Sequence, residues 1–164
     1  MHIEIRTIVD LWNPDRSLRL RLSIIGYQFP NEHSDDWLFV RLEVEHQGES
    51  YDRIDPALEA TELPEIHAWF KALSTRILPK WANLSFTEPC LEFRFLRSKE
   101  SSVRIAVGLN AELRPPFALH QLGNRDDEWD AVFELGTIEF ESILSGIESA
   151  MATYPVRSLR CSAV

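Results

Sequence analysis

The sequence predicts an α+β protein, an antiparallel β-sheet with two α-helices packed on one face. Three observations carry that expectation. Apolar and polar residues alternate with period two along much of the chain, the mark of half-buried antiparallel strands. Only two segments switch to a helical period of 3.6. The connections between neighbouring strands are too short to hold the crossover helices that parallel pairing needs. A chain of 164 residues suits one domain. We place that domain at 1–155 and read 156–164 as a flexible C-terminal tail.

The elements follow in order. Ile3 and Ile5 alternate with Glu4 and Arg6. Leu18, Leu20, Leu22 and Ile24 alternate with Arg19, Arg21 and Ser23, and Leu38, Val40, Leu42 and Val44 repeat the pattern. The turn at Gln47-Gly48 announces a short strand around Ser50–Ile54. Leu63, Ile66, Phe70, Leu73 and Ile77 then make one helical stripe with Trp69 on its flank; Pro64 fits its first turn and Pro79 stops it. Leu91, Phe93 and Phe95 return to period two, and Val103 to Leu113 is the longest alternation in the chain. Trp129, Ala131, Phe133 and Leu135 close the strands. Phe140, Ile143, Leu144, Ile147 and Met151 form the second stripe, with Thr137 as N-cap and Pro155 as the stop. Gly146 costs that helix about 1 kcal/mol of propensity.

Composition excludes several classes. The net charge of −9 argues against direct nucleic-acid binding, which needs clustered Lys and Arg. No apolar run approaches a membrane span, and the first residues lack the apolar stretch of a signal peptide, so the expectation is a cytoplasmic protein with no membrane contact. Cys90 and Cys161 stand alone, with no CxxC or Cys/His pairing. The five His form no metal-ligand spacing, and GxSxG, P-loop and GxGxxG motifs are absent. The expectation is therefore no catalytic residue, no metal and no cofactor. His33 with Asp35 and Asp36 is the nearest approach to a ligand cluster, and a solvated loop is the preferred reading of it.

The charge is segregated. Residues 31–66 hold eleven acids against Arg41 and Arg53, and 126–148 hold eight acids and no base. Two readings stay open: solvated faces, or an acidic surface that meets a basic protein. Two long connections carry acids next to tryptophans, Gly26–Asp36 before Trp37 and Arg114–Glu128 before Trp129. Each tryptophan could pack the sheet or anchor a partner. The candidate partner-binding residues are Glu32, Asp35, Asp36, Trp37, Asp126, Asp127, Glu128 and Asp130.

One sequence pattern is family-like. Gly26-Tyr27-Gln28-Phe29-Pro30 follows the Leu-alternating strand, and an acidic loop then leads into Trp37-Leu38 and a Val/Leu strand. Glu88-Pro89 precedes the Leu91–Phe95 strand, and Phe133-Glu134-Leu135 leads into the terminal helix. Over about residues 17–152 the chain resembles the WapI-type immunity proteins of bacterial contact-dependent inhibition systems. It departs from them in a compact Asp35-Asp36-Trp37 and a basic tail from Arg157. The resemblance implies an antitoxin without catalysis, whose partner is a basic toxin domain, often an RNA-cleaving nuclease. The rival readings are an acidic chaperone or adaptor for a secreted protein, and a small-ligand protein or enzyme built on the His33 loop.

Overall fold

The computed structural model describes residues 4–122 and 128–158. The first four strands, β1 (Arg6–Trp12), β2 (Leu18–Tyr27), β3 (Trp37–His46) and β4 (Glu49–Glu59), form an antiparallel meander in chain order. The helix α1 (Leu63–Ser74) follows a short 3-10 turn. A second meander contains β5 (Asn83–Ser85), β6 (Leu91–Ser98), β7 (Val103–Leu109) and β8 (Asp130–Leu135), and α2 (Thr137–Thr153) comes last. The α+β class and antiparallel pairing agree with the sequence reading, but the strands divide between two sheets. Each strand pairs with its chain neighbour, and α1 interrupts the series after β4, so the later strands pair among themselves.

Alternation explains the strands. Leu18, Leu20, Leu22 and Ile24 of β2 and Leu38, Val40, Leu42 and Val44 of β3 are all buried. Gln47 and Gly48 both take positive φ, 48° and 84°, in the two-residue turn between β3 and β4. That geometry matches the right-handed twist of a hairpin and favours Gly at the second position.

Both helices bury their predicted stripes with corrections at the ends. In α1, Leu63, Ile66, Phe70 and Leu73 are buried together with Trp69. Trp69 and Phe70 pack on Phe93 of β6, with ring centroids 5.9 and 5.3 Å apart. Ile77 does not join the stripe. Arg76 takes a φ of 60° and the Ile77 N–H returns to the Ala72 carbonyl, which closes the helix and leaves Ile77 exposed. In α2, Gly136 is the N-cap and Thr137 the first helical residue; the Glu139 carboxylate accepts the Gly136 N–H at 3.2 Å. The long alternation ends early, because β7 stops at Leu109 and Ala111–Leu113 forms a 3-10 turn.

Gly146 is explained by packing. A Cβ there would lie 2.2 Å from the Thr7 carbonyl oxygen, so α2 approaches the β1 backbone more closely than any side chain allows. The buried apolar residues of both sheets and both helices join in one cluster.

Candidate functional site

The loop between β2 and β3 is held by the chain that follows α2. Asp36 is 5% exposed, and its carboxylate accepts the Arg157 N–H at 2.7 Å, the Ser158 N–H at 3.2 Å and the Ser158 hydroxyl. The Arg157 guanidinium donates to the carbonyls of Pro30 (2.9 Å), Phe29 (3.0 Å) and Asp35 (2.5 Å). It also lies 3.6 Å from the Tyr27 ring centroid, and the Tyr27 hydroxyl donates to the Pro155 carbonyl. The Tyr27-Gln28-Phe29-Pro30 stretch is thus wrapped around one arginine. The segment read as a flexible tail is fastened at Arg157 and Ser158; residues 159–164 lie outside the described residues.

The other expected contact residues have mixed placements. Glu32 is exposed. Asp35 is half-buried and accepts the Trp37 N–H at 2.8 Å, which closes the loop onto β3. Trp37 is half-buried opposite Glu59. Glu128 is half-buried with an oxygen 3.8 Å from Arg94. Asp130 is 3% exposed and accepts the Leu122 N–H at 2.7 Å. Asp126 and Asp127 lie outside the described residues. Asp36 and Asp130 therefore hold the chain's own backbone, since a buried carboxylate must find N–H donors. The two acidic segments belong to different sheets, with Trp37 opening β3 and Asp130 opening β8.

Cross-strand register decides which other acids face a base. On the outer face of the first sheet, Arg19 meets Asp10 through two contacts of 3.0 Å. Arg41 meets Asp52 at 2.9 and 2.6 Å, and Glu43 is shared by Arg21 and Arg41. Glu62 is buried and accepts the backbone N–H groups of Glu59 (2.9 Å) and Thr87 (3.0 Å); burial still pushes its carboxyl above the usual range.

Among the described residues, no salt bridge engages Glu32, Glu49, Asp55, Glu88 or Glu112. Glu49 and Asp55 are on β4, and Glu112 is in the 3-10 turn beside it, where its carbonyl accepts the Tyr51 hydroxyl at 3.1 Å. Burial raises the Asp55 carboxyl above its ordinary value, Glu112 raises it further, and Arg53 opposes the shift. The Cys90 thiol is pushed up to about 12 by burial and then by Asp55, Glu88 and Glu112. Asp55 and Glu112 thus act on each other, and both act with Glu88 on Cys90. The sequence located the acidic block but could not show which members stay unmatched, because that depends on register, nor that Glu88 and Glu112, outside both blocks, act with Asp55 on Cys90.

A separate cleft of about 650 Å³ and mixed lining runs between α1 and β5, with Trp69, Ala72, Leu78, Trp81 and Leu84 beside Glu65, Lys80, Asn83 and Ser85. Trp81 is 61% exposed there, although its carbonyl accepts the Trp69 indole N–H at 2.9 Å. His33, Asp35 and Asp36 do not line this cleft, nor a smaller one at the β3–β4 hairpin or another between α1 and α2. Among the described residues no group of three His, Cys, Asp or Glu side chains could hold a metal ion. No described helix is long and apolar enough to cross a membrane.

Residues 11–155 match the model of the family described as "Immunity protein WapI-like family". No curated protein and no solved structure matches the chain. The matched span begins in β1 and ends just beyond α2, so Arg157 and Ser158 lie outside it. This coverage places the chain in the WapI-like immunity protein family.

Proposed function

We propose that the protein is an antitoxin that binds the C-terminal domain of a cognate bacterial toxin, a nuclease, and neutralises it through an acidic surface in the cytoplasm. Family membership supports the immunity role and a toxin partner. The observation behind the acidic surface is the set of carboxylates that meet no salt-bridge partner among the described residues, while other acids of the same block are matched. A nuclease needs a basic cleft for phosphate, and such carboxylates can occupy it as phosphate mimics. Neutralisation of this kind is stoichiometric and needs no catalytic group. On this reading Glu32, Asp35, Trp37, Asp126, Asp127 and Glu128 contribute to contact, whereas Asp36 and Asp130 support it from beneath.

The test is co-expression with the C-terminal domain of the cognate toxin. The chain should restore growth, and the purified protein should abolish RNA cleavage at a one-to-one ratio. Continued RNA cleavage in the presence of excess chain contradicts the reading.

The Trp81 cleft favours a second reading, an acidic chaperone that holds an apolar segment of a secreted protein. That complex would withstand high salt and fail in a Trp81→Ala variant, whereas the antitoxin complex would weaken with salt and tolerate Trp81→Ala.

A further inference from the structure

We propose that the outer edge of β4, from Glu49 to Asp55, docks a basic extended segment of the toxin as an added strand. The inference rests on the antitoxin reading and adds a further contact to the two acidic segments named there. β4 is the last strand of its sheet and pairs only with β3 among the described residues. An antiparallel edge strand turns alternate N–H and C=O groups away from its partner, and no backbone hydrogen bond to another element occupies those of 49–55. Glu49, Ser50, Asp52, Arg53 and Ile54 are exposed. Pro56, which lacks an N–H, closes the available stretch at seven residues, enough for an added strand of ordinary length.

Charge complementarity selects the occupant. Glu49, Asp55 and Glu112 flank the edge without a salt bridge, and Glu88 lies near enough to act with Asp55 and Glu112 on Cys90. Arg53 is the single base on the strand. An incoming strand with Lys or Arg at alternate positions would satisfy the backbone and relieve the repulsion between Asp55 and Glu112. An apolar strand would leave those carboxylates unmatched and partly desolvated. Main-chain hydrogen bonds would supply affinity and the carboxylates would supply choice of partner.

The test uses the full chain and the C-terminal domain of the cognate toxin. Glu49→Lys with Glu112→Lys changes two exposed side chains that hold no ion pair in the fold, and should weaken binding about 10- to 100-fold. The matched control, Glu100→Lys with Glu141→Lys, makes the same change in net charge elsewhere on the surface and should leave affinity within about twofold. In wild-type complex, alternate amides between Glu49 and Asp55 should exchange with deuterium at least about tenfold more slowly than in the free chain. Unchanged affinity of the edge variant, equal losses in edge variant and control, or unchanged exchange at 49–55 each overturns the docking edge and leaves the antitoxin role standing. Absence of binding by the wild-type chain removes that role and this inference with it.

Discussion

Asp36 and Arg157 set the shape of the loop that carries the family-like Tyr-Gln-Phe-Pro stretch. Asp36→Ala would leave two backbone N–H groups and a hydroxyl without their acceptor. It should destabilise the fold by about 2–3 kcal/mol, measured by urea denaturation. Asp55 has the opposite character. Its carboxyl is raised by burial and Glu112, so its protonated form is the one the fold favours. The stability linked to this group is full below the ordinary value of 3.8 and is lost as pH rises through the raised value. Asp55→Asn should therefore flatten the fall in stability between acid and neutral pH, and weaken toxin binding at the same time. Denaturation midpoints across that range, compared with the wild type, check the first part. Little of this was legible beforehand. Asp36 and Asp55 are identical in a sequence, and only the distant Arg157 and Glu112 make one an anchor and the other an unmatched charge.

At the scale of elements, periodicity revealed what packs and missed how elements end. The stripes of α1 and α2 follow from spacing alone, because a helix must bury one face. Ile77 continues the α1 spacing, yet the left-handed Arg76 removes it from that face. β5 escaped notice since three residues, only Leu84 of them buried, make no pattern. Gly146 illustrates the limit most directly. Propensity marks it as a weakness of α2, but the Thr7 carbonyl requires it. Gly146→Ala should destabilise the protein by about 1–3 kcal/mol despite the better helix former, because β1 backbone must move. Calorimetry or urea denaturation would show a gain in stability if α2 were not pressed against β1.

Over the whole molecule, the antiparallel α+β class was legible from alternation and short connections, while the split into two sheets was not, since both topologies share the same local patterns. The acidic blocks were visible as charge, but their surface distribution was set by partners: Arg19, Arg21 and Arg41 match Asp10, Glu43 and Asp52. Of the acids that no salt bridge engages among the described residues, Glu49, Asp55 and Glu112 lie on or beside β4. The central claim is that this acidity recognises a basic toxin domain. Its most direct test is the dissociation constant of the chain with that domain, measured from about 50 to 500 mM salt, beyond which a surface charge is screened within a few ångströms. The account predicts an affinity that falls about tenfold or more across this range, mainly through a slower association rate. Tight binding with the same affinity and association rate at both ends of the range would contradict it.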